Sequence, residues 1–261
     1  MSLKRIRYLL FVLLPFVLLI LFIDFKLEHV SQKYLEKNSI YEDIFFSLEK
    51  DSVGKVFLFE HDMTDTYHAY LPKEWNQEER VFFNHCKEIN VDGVTLTDGD
   101  LLPQFEPDKE YPMKMVGWDD EIVDETTVVF YYLSELPNMF ISLEEEDISL
   151  IRADKEHEAE AIYTVFSDEI AKGKCTISGR GNTSWATQQK PYSINLFEEQ
   201  SLLGMEKTDE YALLSNLGEN IPQIKNKIVY DIAGRLDENC APQCEFVNLF
   251  LNGKYHGLYR V

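Results

Sequence analysis

Gly179-Arg180-Gly181-Asn182-Thr183-Ser184-Trp185 is followed, after four residues, by Lys190-Pro191-Tyr192-Ser193-Ile194-Asn195-Leu196. Two glycines flank an arginine, so the backbone can take positive φ and approach a bound group while the guanidinium offers a planar fork of donors. Tyr192, Ile194 and Leu196 alternate with Ser193 and Asn195, the period of a half-buried strand. A lysine at the mouth of such a strand, beside an arginine-bearing glycine loop, makes a phosphate cradle. The same residues also read as a plain hairpin, with Gly and Asn meeting turn geometry, Trp185 packed, and Arg180 and Lys190 solvated.

Upstream, Glu158 to Ser167 and Gly173 to Ser178 read as strands, and the second leads into the glycine loop. An antiparallel sheet with a glycine-rich hairpin is implied. Downstream, Tyr211 to Asn216 reads as a buried strand. Gln223 to Leu236 spaces Ile224, Ile228, Ile232 and Leu236 four apart behind Pro222, the pattern of a helix packed on the sheet. Lys225, Asn226 and Lys227 at one end and Arg235 at the other let one face look back toward the glycine loop. A helix that merely covers the sheet fits the same residues. Phe246 to Leu251, Asn252-Gly253 and Tyr255 to Tyr259 form a hairpin, because Asn-Gly suits a type I′ turn.

Before this region, residues 51–136 hold short runs rich in β-branched and aromatic residues: Val56–Phe59, Tyr67–Leu71, Val81–Phe83, Val94–Leu96, Met113–Val116 and Val128–Tyr132. Turn signals such as Asp92-Gly93 and Asp98-Gly99 separate them, which predicts a small β-sandwich. Asp98, Asp100, Asp108, Asp119, Asp120, Glu121, Asp124 and Glu125 accumulate there. Solvated acidic loops are the default reading, with calcium the alternative, although the ligand spacing of an EF-hand is missing.

At the start, Tyr8 to Ile23 are sixteen residues without a charge. That is near the short end of a bilayer-spanning helix. Lys4, Arg5 and Arg7 precede the run, and no small-x-small site closes it. A single-pass signal anchor over residues 1–23 is predicted, with the N-terminus cytoplasmic and the bulk of the chain outside the cell membrane. Residues 24–50 read as a helical stalk.

Composition narrows the rest. A hydrophobic share of 45% and an aromatic share of 13% supply a core over 261 residues. The 46 acidic against 25 basic residues, a net charge of −21, repel a phosphate backbone and exclude nucleic acid as partner. Four cysteines, Cys86, Cys175, Cys240 and Cys244, are too few for a disulfide scaffold. A local Cys240–Cys244 bridge is one option, and free buried thiols for at least two of the four are the other. Neither a Cys-x-x-Cys pair nor clustered histidine supports zinc.

Taken in order, Arg180-Gly181-Asn182-Thr183-Ser184-Trp185, Lys190-Pro191-Tyr192, Leu202-Leu203-Gly204, Tyr211–Asn216, Lys225-Asn226-Lys227-Ile228 and Asn252–Tyr259 resemble the CotH family of spore-coat-type atypical kinases, from about Leu136 to the end. The resemblance implies the nucleotide-binding lobe of an atypical kinase over residues 137–261, an α+β fold. It also implies ATP with a divalent metal, Mg or Mn, and phosphoryl transfer to serine or threonine. By carry-over, Arg180, Gly181 and Asn182 shape the loop near the nucleotide and Lys190 approaches its phosphates. Lys225 and Asn226 stand where the family has an Arg-Asn pair, and Gly218-Glu219-Asn220 where it has an aspartate-containing segment. The family's catalytic aspartates lie beyond the Asn252–Tyr259 hairpin, so no residue here is credited as catalytic base or metal ligand, and this chain is expected to be inactive by itself. The alternative is a non-catalytic binding or assembly protein with spore-coat or cell-surface partners.

Overall fold

Runs of aromatic and β-branched residues between Phe45 and Tyr132 become nine strands. The computed structural model describes residues 41, 43–60, 65–215, 224–236 and 242–261. Ile44–Val261 forms one compact unit. The first strands are β1 (Phe45–Ser47), β2 (Val56–Phe57), β3 (Phe59–Glu60), β4 (Thr66–Leu71) and β5 (Arg80–Phe82). They are followed by β6 (Glu88–Val91), β7 (Val94–Leu96), β8 (Glu110–Val116) and β9 (Ile122–Tyr132). A three-stranded sheet has the order β2-β1-β5, and a six-stranded one the order β3-β4-β9-β8-β6-β7, with β4 and β9 parallel. The two meet where the ring of Phe46 stands edge-on to Phe130 at 5.8 Å.

Phe45 to Ser47 falls in the stretch read from sequence as helical stalk. It is a strand because Phe45 sits between two aromatic cross-strand partners, Phe57 at 5.4 Å and Phe82 at 5.2 Å. Such pairs are the stabilising unit of a sheet. The acidic residues of this part close turns and pair with lysines. Asp98 bonds Lys50 at 2.7 Å and accepts the Phe83 N–H, Asp100 accepts the Thr97 N–H and hydroxyl, and Glu125 bonds Lys114 at 2.9 Å.

The remaining strands are β10 (Asn138–Ser142), β11 (Glu158–Phe166), β12 (Ile170–Gly179), β13 (Tyr192–Gln200), β14 (Thr208–Ser215), β15 (Phe246–Leu251) and β16 (Lys254–Arg260). Two helices join them, α1 (Glu145–Ala153) and α2 (Ile224–Arg235). The strands close into a barrel in the order β10-β11-β12-β13-β14-β16-β15, shut by the parallel pairing of β10 with β15. Alternate residues fill the interior: Ile141, Tyr163, Ile177, Ile194, Leu213, Leu249 and Tyr259 belong to one buried cluster, joined by Ile151 from α1. Each such side chain contributes roughly 1.5–3 kcal/mol by leaving water. Three acidic residues, Glu145, Glu146 and Asp147, sit in the first turn of α1, where the helix dipole favours negative charge.

Two expectations are corrected here. The chain is not an α+β protein with a helix packed on an open antiparallel sheet. Strands dominate, only two α-helices occur among the described residues, and the C-terminal sheet is a closed barrel. A barrel buries the apolar half of every strand inside itself, so its sheet needs no helix to cover it. Accordingly α2 buries none of its residues, and Ile224, Ile228, Val229, Ile232 and Leu236 are all exposed. The second correction concerns the single-pass membrane localisation. Among the described residues no helix is long and apolar enough to cross a membrane. The longest, α2, has 12 residues and carries Lys225, Lys227, Asp231 and Arg235. At about 1.5 Å per residue it is far shorter than a bilayer core. The expected anchor, Tyr8 to Ile23, and residues 24–40 of the expected stalk lie outside the described residues.

Glu79 is buried, at 2% exposure, and its Oε2 has no hydrogen-bond partner among the described residues. Burial raises its pKa, opposed by backbone N–H bonds from Glu79 and Gln77. A carboxyl whose pKa is raised on folding favours the fold below its unfolded pKa and loses that contribution as pH rises through the folded value. Glu79→Gln is therefore expected to stabilise the protein at pH 7, on the order of 1 kcal/mol. It should also flatten the stability profile above the carboxylate range. Urea unfolding at pH 4 and pH 7 measures both, and a less stable variant at pH 7 refutes the expectation.

Candidate functional site

The loop between β12 and β13 is closed upon itself. Gly179 ends β12 opposite Tyr192, and the Arg180 N–H donates to the Pro191 carbonyl at 3.1 Å. Gly181 has φ +79°, and a Cβ there would lie 2.2 Å from the Ser184 Oγ. Ser184–Ala186 form a 3-10 turn that lays Trp185 over Gly179, where a Cβ would come within 2.5 Å of the indole. The Lys155 ammonium donates to the Gly181 carbonyl at 3.4 Å and to Asn182 Oδ1 at 3.3 Å. Gln189 donates to the Leu258 carbonyl at 3.0 Å, and the Tyr259 hydroxyl donates to the Lys190 carbonyl at 2.7 Å. The loop is thus clamped to β16.

Lys190 is consumed within this loop. Its Nζ donates to the Trp185 carbonyl at 2.6 Å and lies 4.7 Å from the centre of the Trp185 ring, a cation–π contact. Arg180 instead lines an open hollow of about 1290 Å³. The walls are the Leu203–Thr208 loop, the outer side of β14, residues 242–245 and one side of α2. From α2 come Lys227, Tyr230, Asp231, Gly234 and Arg235, spaced three and four apart as one helical face. Lys225 and Asn226 are not among the lining residues.

The hollow's charges are mixed: Arg180, Lys207, Lys227 and Arg235 against Glu206, Glu210, Asp231 and Glu245. Lys227 holds α2 in place. Its ammonium donates to the Cys244 carbonyl and to Glu245 Oε1, both at 2.7 Å, with Asp231 at 3.7 Å. Burial alone would lower its pKa, but the bond to Glu245 and the neighbouring carboxylates outweigh that and raise it. Lys227 stays charged. Arg180, Lys207 and Arg235 enter no ion pair among the described residues, which leaves three cations facing one space.

Of the six residues expected at the site, Arg180 lines the hollow, Gly181, Asn182 and Lys190 belong to the adjoining loop, and Lys225 and Asn226 lie on α2 outside the lining. Lys207 went unnoticed in the sequence because nothing local marks it. Of the α2 residues expected to look back toward the glycine loop, Lys227 and Arg235 line the hollow, and Lys225 and Asn226 do not. Among the described cysteines only Cys244 lines the hollow. Cys86, Cys175 and Cys244 are free, and burial pushes Cys86 up to about 11 and Cys175 up to about 12. Cys240 lies outside the described residues. No group of three or more His, Cys, Asp or Glu is gathered for a metal among the described residues.

The family model described as CotH kinase protein matches residues 177–261, bearing out the resemblance over that stretch. The match begins within β12, so β10, α1 and most of β11–β12, included in the reading from Leu136, lie before it. No curated protein matches the chain.

Proposed function

We propose that the CotH-like region, residues 177–261, binds ATP in the hollow between β14 and α2. The observation that carries this reading is the convergence of three cations without ion-pair partners, Arg180, Lys207 and Arg235, on one space in a chain of net charge −21. Anion-binding charge is otherwise scarce on such a surface. The triphosphate lies toward Arg180 and Arg235, whose guanidinium forks suit phosphate oxygens. Tyr230 offers the base a ring to pack on. The hollow exceeds the usual small-ligand pocket of about 300–1,000 Å³, so size admits a nucleotide.

Among the described residues no cluster of ligands is gathered for a divalent metal, which would ride on the phosphates, as magnesium does at many nucleotide sites. Phosphoryl transfer to serine or threonine is the family-level expectation, and no residue of this chain is assigned the role of base. What these residues do is hold and orient the phosphates, the main task of a protein in such chemistry.

Titration calorimetry with ATP and magnesium tests the reading. Arg180→Ala and Arg235→Ala should each weaken binding by about 10-fold or more, the worth of a charge-assisted bond. Lys190→Ala should leave affinity within about twofold, because its amine is already bonded to Trp185. Binding indifferent to both arginines overturns the proposal. The second reading, a non-catalytic binding or assembly protein, draws support from the exposed stripe of α2 and predicts no ATP heat at all.

A further inference from the structure

The side of α2 that turns away from the hollow carries an exposed apolar stripe. Ile224, Ile228, Val229, Ile232 and Leu236 are 47–70% exposed along one helix. An apolar row of this length on a helix face marks a docking surface rather than chance exposure. Its charge is one-sided. Successive residues advance about 100° around a helix, which places Lys225 within the stripe beside Val229 and Ile232, and Arg235 at its border. Asp231 lies on the hollow side with Lys227. The surface that fits is apolar at its centre and carries acid.

Such a surface exists at the tip of the β8–β9 hairpin. Trp118 is 74% exposed, with Ile122 and Val123 also exposed beside it. The turn is fixed by bonds from the Gly117 N–H to the Glu121 carbonyl at 2.8 Å and from the Asp120 N–H to the Gly117 carbonyl at 3.1 Å. Lys87 pairs with Asp120 and Lys114 with Glu125. Asp119 and Glu121, flanking the tryptophan turn, enter no ion pair among the described residues. Apolar-with-cation on one element thus matches apolar-with-anion on another.

We propose that two copies of this chain associate head to tail, the α2 stripe of one docking on the Trp118 hairpin tip of the next. Two different patches meet, so the contact is heterologous and each copy keeps one patch open for a further neighbour. The fixed turn presents Trp118 at little backbone ordering cost, and aromatic anchors of this kind carry much of the affinity at interfaces. With a net charge of −21 two copies repel overall, so it is the local match of Lys225 with Asp119 and Glu121 that orients the contact.

Sedimentation velocity on the full chain across a concentration series tests this, with charge exchange as the decisive step. Ile232→Asp, Lys225→Glu and Glu121→Lys are all surface changes, and each should weaken association by about 10-fold or more. The double variant Lys225→Glu with Glu121→Lys should recover most of that loss, because every junction then carries the pair reversed. Circular dichroism on each variant verifies that the fold is kept. A monomeric chain, association untouched by Ile232→Asp, or singles weakened without recovery in the double variant would each overturn the proposal. So would a stripe-dependent binding to anionic lipid vesicles in place of self-association.

Discussion

Replacing Phe250 with alanine is expected to cost about 3–5 kcal/mol, the range for deleting a fully buried aromatic ring. Phe250 is 0% exposed yet points out of the barrel, since its neighbours Leu249 and Leu251 fill the interior. It stacks on Phe140 at 4.5 Å and touches Tyr255 at 5.4 Å. Tyr255 stacks on Tyr70 at 4.7 Å, and Tyr70 on Tyr131 at 4.5 Å. This seam of rings joins the barrel to the six-stranded sheet. The native chain should melt in one transition, and Phe250→Ala should lower its midpoint by about 10 °C, at roughly 2–4 °C per kcal/mol for a unit of this size. A midpoint within about 2 °C of the native one would show that the seam contributes little.

The seam also sets an alkaline limit. Burial and the neighbouring Tyr70 push the Tyr255 phenol up to about 12 from 10.0, and burial also raises Tyr70 and Tyr131. A tyrosine whose pKa rises on folding contributes stability below its unfolded pKa and loses it as pH climbs through the folded value. The loss should fall between pH 10 and about 12 and shrink in Tyr255→Phe. Denaturant midpoints measured across that window decide it.

Gly253→Ala is expected to cost about 2–3 kcal/mol, more than a strained turn alone. Gly253 has φ +74° as the second residue of the β15–β16 turn, after Asn252 at φ +46°, the type I′ pattern. A Cβ there would also come within 2.5 Å of the Lys55 carbonyl and 2.4 Å of the Phe57 ring. The Phe57 N–H donates to the Gly253 carbonyl at 3.1 Å, so the turn packs backbone to backbone on β2. Gly93 is the natural control. It has φ +86° with nothing within 4 Å, and Gly93→Ala should cost only the left-handed penalty of about 1–2 kcal/mol. Equal losses in the two variants, read by urea unfolding, would mean that the contact with β2 carries no weight.

Asn252-Gly253 shows how much a local signal says. The turn type followed from two residues, while its second task, seating β2, could not, because Lys55 and Phe57 are distant in sequence. The Asn252 side chain adds a similar tie, accepting the Leu143 N–H at 2.9 Å and donating to the Leu143 carbonyl at 2.8 Å. The glycine loop behaves alike. Arg180 and Lys190 read as equal partners for an anion, but Trp185 folds over Gly179 and captures the lysine.

By itself the sequence determined where most strands run, where the chain turns, and that a helix over about residues 223–236 carries apolar residues four apart. These are short-range properties, set by alternation and by neighbours three or four residues apart. Only the tertiary structure decided that β10 pairs with β15, placing Asn138 against Asn248 across 110 residues, and so closes a barrel. Closure put the apolar half of each strand inside and left the apolar side of α2 exposed. It also decided that Arg180 shares its hollow with Lys227 and Arg235 rather than with Lys190. Such pairings depend on which distant surfaces meet, and periodicity along the chain carries no record of that.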